Sequence, residues 1–111
     1  MSRADRVAER IKFEVNEIIT KKISDPRIGF ITITKVSVSP DLKNAKIFVS
    51  IFEETKEAKA DTLKGLVSAE RFIKGLLGDR LNLRLVPTIS FIEDDSIEKA
   101  SRLWNLMKTV K

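Results

Sequence analysis

Glu93, Asp94 and Asp95 form a run of three consecutive carboxylates, side chains whose type and spacing could hold a hard cation such as Mg²⁺. Nothing else that such chemistry needs stands with them. The sequence has no histidine and no cysteine, so it offers no imidazole or thiolate metal ligand, no histidine-based triad and no disulfide framework. It also lacks a P-loop or another glycine-rich phosphate cradle. The three acids fit a strand end followed by a helix cap better. That reading predicts no enzyme, no metal and no cofactor.

Basic side chains outnumber the acids. Twenty-one Lys and Arg stand against 16 Asp and Glu, a formal net charge of +5 and a pI near 9.6. The surplus is blocked: residues 1–52 carry +4 and residues 62–92 carry +3, while residues 53–61 carry −2. Clustered positive charge is the electrostatic footprint of a protein that meets polyphosphate. Arg3, Arg6 and Arg10 recur at helical spacing and Phe13 continues the line. Arg10 with Glu14 and Glu17 with Lys21 are also ordinary i,i+4 surface pairs, so the stripe reads as a partner face or a solvated one. Phe48 and Phe52 could form a base-stacking platform, although packing by a helix, or a strand with both faces partly covered, explains them more simply.

These side chains must be positioned by a fold that 111 residues can build. At that length one domain over residues 1–111 is expected. With 42% apolar and 33% charged residues the chain is too mixed for a membrane protein and too hydrophobic for a disordered one. It has no apolar run of about 18 residues that could span a bilayer. Met1 to Arg10 is charged, with no apolar segment behind it. The expectation is an untargeted, cytoplasmic protein.

Residues 4–23 read as a helix capped by Ser2, with Ala4, Val7, Ala8, Ile11, Val15, Ile18 and Ile19 within about a third of the helical wheel. Asp25-Pro26-Arg27-Ile28-Gly29 is a turn in which the glycine permits a positive φ. Residues 30–39 alternate as a strand whose phase changes at Lys35, the mark of a bulge. After a loop at residues 40–44, residues 45–52 alternate again, and the two strands make a hairpin. Glu53 to Asp61 is an acidic linker or first helical turn.

Residues 57–82 have helical periodicity, but Leu63, Leu66 and Val67 point roughly 100° away from Phe72, Ile73, Leu76 and Leu77. One straight helix cannot bury both sets, so a kink is expected over Ser68, Ala69, Glu70 and Arg71. Residues 86–92 read as a third strand with Ile89 and Phe91 inward and Pro87 near its start. Asp95 and Glu98 suit a capping box opening a last helix. Its face of Ile97, Ala100, Leu103, Trp104, Met107 and Val110 is expected to place Trp104 in the core. The order predicts an α+β fold: a three-stranded mixed sheet, helices on one face, and a kinked helix pair crossing over to a parallel third strand. This matches a type II K-homology arrangement, without the GXXG clamp between the two helices.

Several blocks in order carry a resemblance over nearly the whole chain. They are Arg6-Val7-Ala8, Asp25-Pro26-Arg27-Ile28-Gly29, Ser39-Pro40-Asp41-Leu42-Lys43-Asn44-Ala45-Lys46-Ile47-Phe48-Val49, Phe72-Ile73-Lys74-Gly75-Leu76-Leu77-Gly78, Leu83-Arg84-Leu85-Val86-Pro87, and Phe91 followed by Asp94 and Ser96. In these the chain resembles the ribosome-binding factor A family of bacterial assembly factors. That family has an alanine-X-glycine kink in place of GXXG; here Ala69-Glu70-Arg71 keeps the alanine and puts arginine at the glycine position. Without the glycine the bend must come from packing.

The resemblance implies non-enzymatic binding to the small (30S) ribosomal subunit and its 16S rRNA in late maturation, near the RNA 5′ end, with a role in cold adaptation and release by an assembly GTPase. Phosphate contacts would then come from Arg71, Lys74, Arg80 and Arg84 around the kinked helices. Arg27, Lys43 and Lys46, together with Arg3, Arg6 and Arg10, would extend that surface. A protein-interaction module and a generic single-stranded RNA binder are the alternatives. A monomer is expected, although an exposed edge strand leaves room for a dimer.

Overall fold

The computed structural model describes residues 1–109. The first helix, α1 (Arg3–Lys22), opens on a capping box. The Ser2 hydroxyl accepts the Asp5 N–H at 3.1 Å, and the Asp5 carboxylate accepts the Ser2 N–H at 3.3 Å. Val7, Ala8, Ile11, Val15 and Ile18 are buried, so the apolar stripe faces the core as its spacing requires.

The turn that follows is closed by the Ile28 N–H on the Asp25 carbonyl at 3.0 Å. Gly29 does not use a positive φ, contrary to expectation. A β-carbon there would meet only the end of the Glu53 side chain, which is free to swing aside. Thr62 is buried beneath the turn, donating to the Arg27 carbonyl at 2.9 Å and accepting the Gly29 N–H at 3.4 Å.

Strands β1 (Ile31–Val38) and β2 (Asn44–Ile51) pair antiparallel, and β3 (Thr88–Glu93) lies parallel to β2, in the order β1-β2-β3. The register shifts between Ile33 and Lys35, so the expected bulge is present and Thr34 is its extra residue. The bulge aims the Thr34 hydroxyl at the Asp94 carboxylate, 2.6 Å away. Lys35 comes to lie 6.0 Å from the centre of the Phe48 ring. Phe48 is half-buried while Phe52 is exposed.

Helices α2 (Lys56–Ser68) and α3 (Glu70–Leu81) meet at Ala69, which serves both as the last cap of one and the first of the other. Its ψ of −5° breaks the helix while its φ of −89° stays negative, a conformation open to any L-residue. The bend therefore needs no glycine. Leu66 and Ile73, on either side of it, are both fully buried. Val67 and Phe72, assigned above to the two buried sets, are instead 49% and 52% exposed. They flank the bend on its outer side, where turning one neighbour of each pair inward turns the other out. Asn82 ends α3 in the left-handed region at φ 52°, a position asparagine tolerates.

The core is a single layer between the sheet and α1, α2 and α3, with Ile11, Ile18, Ile47, Leu66, Ile73 and Leu77 fully buried within it. Ile89 and Phe91 join it from β3 as expected, and Pro87 is buried just ahead of the strand. The last helix, α4 (Ser96–Thr109), does not join it. Trp104 is 58% exposed, and Ile97, Leu103 and Met107 are exposed with it, so the expectation of a core tryptophan is overturned. The helix side of the sheet is already filled by the three earlier helices.

The radius of gyration is 15.8 Å, against about 13 Å for a compact chain of this length. The capping box expected from Asp95 and Glu98 is replaced by other contacts. Glu98 pairs with Lys59 of α2, while the Asp94 carboxylate accepts the Ser96 N–H at 3.0 Å. Val110 lies outside the described residues.

Candidate nucleic-acid interface

Five of the cations proposed from sequence, Arg27 and Arg71 at one end and Arg3, Lys43 and Arg84 at the other, fall at two ends of the helical layer. At the bend, Arg71 is exposed in the first turn of α3, at the place the resemblance assigns to glycine. Beside it, Arg27, Ala60, Leu63, Lys64, Val67 and Ser68 line a shallow hollow of about 500 Å³. A second hollow of about 250 Å³ runs under the bend between Lys22, Asp25, Gly65, Ala69 and Phe72. Lys22, Lys64 and the two outward apolar side chains were not among the sequence candidates. Lys64, Val67 and Phe72 each sit one residue from a buried position in a regular helix, which masks their signal, and Lys22 reads as an ordinary basic residue of a helix's last turn.

At the far end of α3, Arg3 from α1, Asp41, Leu42 and Lys43 from the hairpin loop, and Leu83, Arg84 and Leu85 from the α3–β3 loop line a cleft of about 230 Å³. Helix α1 connects the two ends. Its 20 residues span about 30 Å, with Arg3 at the cleft and Lys22 at the bend. Arg6 and Arg10 stand exposed along it, and Lys46 is exposed on the sheet in register with Ser37 and Ser90.

Two candidates are already engaged within the chain. The Arg80 guanidinium contacts the Glu14 carboxylate at 3.0 Å and ties α3 to α1. The Arg27 guanidinium grips Asp25, with Nη2 2.7 Å from Oδ2 and Nε 3.1 Å from Oδ1. That contact holds the Asp25 carboxyl below the usual carboxylate range and raises the pKa of Arg27. Lys74 is half-buried, its Nζ 3.5 Å from the Thr88 hydroxyl. The remaining cations face solvent.

The groove between α3 and β3 is filled by the protein itself. β3 is an edge strand, and the carboxylate of Glu70 accepts the outward N–H of Phe91 at 2.8 Å. A single strand laid against that edge, as in a GXXG clamp, would have to displace this carboxylate before meeting the backbone. The acidic run does not gather into a cation site either. Asp94 is bound to Thr34 and Ser96, which hold its carboxyl at a pKa of about 2. Asp95 pairs with Lys99.

The sequence profile of the ribosome-binding factor A family matches residues 3–107. Ribosome-binding factor A of Halothermothrix orenii is 45% identical over 109 residues, covering 98% of this chain and 88% of the relative. The crystal structure of ribosome-binding factor A from Thermus thermophilus superposes with a TM-score of 0.70 at 27% identity, over 81% of this chain and 93% of that one. A homology model of the Thermus thermophilus factor, fitted into a cryo-EM map of its complex with the 30S subunit, superposes with a TM-score of 0.64 at 27% identity over 79% and 91% of the two chains. The family profile spans nearly the whole chain, and a relative 45% identical covers 98% of it: the chain belongs to the ribosome-binding factor A family.

Proposed function

We propose that this protein binds the small ribosomal subunit through its 16S rRNA as a maturation factor of late assembly and 5′-end processing, without catalysing a reaction. The observation that carries the reading is the division of solvent-facing cations between the bend and the loop-end cleft, joined by the arginine stripe of α1. Such an arrangement contacts phosphates at several points and fixes orientation without reading bases. The Thermus thermophilus relative, fitted into a 30S complex, supports the choice of the small ribosomal subunit over other polyanions. Arg71, Arg84, Lys43, Arg3, Arg6, Arg10 and Lys46 supply the contacts, and Lys74 can join them by leaving Thr88. On this reading the protein acts as a cytoplasmic monomer and a single unit, is needed most in the cold, and is released by an assembly GTPase.

Sedimentation with purified small subunits, large subunits and protein-free RNA across a salt series tests it. Selective, salt-sensitive association with small subunits is the expected result. Equal binding to every RNA would reduce the protein to a generic basic binder. Association that survives RNase would point to a protein partner instead.

A further inference from the structure

We infer that Glu70 determines which form of RNA this protein accepts, by closing the α3–β3 groove to single strands. The inference deepens the small-subunit reading above and rests on it for the partner that remains, RNA already folded. Parity along β3 shows which backbone groups the groove would offer. The N–H groups of Thr88, and of Asp94 just past the strand, donate inward to the carbonyls of Lys43 and Val49 at 2.8 and 2.7 Å. The pairing with β2 between them runs without a shift, and alternate residues of a parallel ladder face opposite sides. The N–H of Phe91 therefore faces the free edge of the sheet. An RNA strand laid along that edge would use this donor, and the Glu70 carboxylate already takes it at 2.8 Å. The carboxylate also sets a negative charge where the anionic strand would run.

The rest of one α3 face continues the closure. Glu70, Lys74 and Gly78 follow at i, i+4 and i+8 and so share a face. They meet β3 and the residues before it in reverse order. Glu70 reaches Phe91, Lys74 Nζ lies 3.5 Å from the Thr88 hydroxyl, and a β-carbon on Gly78 would lie 3.1 Å from Val86 Cγ2. Helix and strand thus run antiparallel and touch at each helical turn. The three contacts do not resist RNA equally. Lys74 is a cation on one long hydrogen bond, which a phosphate can draw away, and Gly78 carries neither a charge nor a polar side chain. Glu70 alone opposes the ligand by its charge and by occupying the donor. Arg71, the next residue, is exposed, so the start of α3 turns a cation outward and an anion inward. A folded RNA displays its phosphates on its outside and meets the exposed cations without entering the groove. A single strand has to enter it to be held.

The test measures affinity for unstructured oligoribonucleotides, one oligouridylate and one of mixed sequence, by fluorescence anisotropy, and affinity for purified small subunits by sedimentation. Glu70→Ala and Glu70→Ser remove both the acceptor and the charge, and Glu70→Gln removes the charge but keeps an acceptor. Glu54→Gln removes one exposed carboxylate from the β2–α2 loop and controls for net charge. Thermal melts set a temperature at which each variant is folded, and Glu70→Ser carries the comparison if Glu70→Ala melts too low. The ratio of single-strand affinity to small-subunit affinity should rise about five- to tenfold over wild type in Glu70→Ala and Glu70→Ser, the worth of one freed hydrogen-bonding group. It should rise by about twofold or less in Glu54→Gln, with Glu70→Gln in between. A rise in Glu70→Ala and Glu70→Ser no larger than in Glu54→Gln overturns the role of Glu70 and leaves the small-subunit reading standing. A wild type that binds single strands as tightly as small subunits overturns the selectivity itself. A wild type that does not sediment with small subunits overturns the functional reading beneath it.

Discussion

The Glu70 carboxylate accepts the backbone N–H of Phe91 at 2.8 Å and thereby fastens the start of α3 to the free edge of β3. One side chain next to the bend caps an edge strand that would otherwise present an open donor. The same contact fills the groove in which a K-homology clamp holds a single strand. Glu70→Ala should lower the unfolding free energy by about 1–2 kcal/mol, because it leaves that N–H without its acceptor. Glu70→Gln keeps an acceptor in reach and should lose less than half as much. Urea denaturation of the two variants checks the order.

Asp94 should leave a signature in acid. Thr34 and then Ser96 hold its carboxyl at about 2, below the ordinary 3.8. Its folded-state pKa is depressed, so its contribution to stability is complete above the ordinary value and disappears as pH falls from about 4 toward 2. The midpoint of thermal unfolding should fall more steeply over that window in the wild type than in Asp94→Asn. Thr34→Val should flatten the same segment of the curve by removing the 2.6 Å hydroxyl contact.

Two glycines in the crossover helices should respond in opposite directions to alanine. At Gly65 a β-carbon would lie 2.8 Å from Ile28 Cγ1 and 3.4 Å from Arg27 Cβ, so Gly65→Ala should destabilise by about 1–3 kcal/mol through overpacking of α2 on the turn. Gly75 has open space around the same position. Gly75→Ala should stabilise by about 0.5–1 kcal/mol through helix propensity alone. Denaturant midpoints at unchanged m-value are the readout.

Trp104 is the sole tryptophan, and it stands in solvent with Lys108 Nζ 5.4 Å from its ring centre. Its emission maximum in the native protein should already lie near that of the unfolded chain, and a small quencher should reach it nearly as well before unfolding as after. A blue-shifted, protected native spectrum would place α4 against the body instead. Breaking the Lys59–Glu98 pair with Glu98→Gln should lower the urea midpoint only slightly, since this half-buried pair ties α2 to α4 rather than to the core, and ion pairs open to solvent contribute about 1 kcal/mol.

What local periodicity could encode was legible in the sequence. The 3.6-residue recurrence from Val7 to Ile18 makes α1, the phase change at Lys35 makes the bulge, and two stripes set at an angle on one helical stretch require the bend at Ala69. The parallel placement of β3 follows from a helical crossover between strands of one sheet. Family membership was equally legible, in blocks such as Ser39 to Val49.

Tertiary structure alone decided the rest. The face from Ile97 to Met107 has a core-like pattern, yet it stays exposed because α1, α2 and α3 already cover that side of the sheet. Val67 and Phe72 were read as core because a wheel assigns directions without knowing the angle at which two helices meet. Arg80 looked like a free cation until folding set it against Glu14, 66 residues away. Arg3, Lys43 and Arg84 share no sequence neighbourhood, and their cleft exists only where three chain segments end together. A side chain's period depends on its own neighbours along the chain, whereas its partner depends on which faces other elements have already filled.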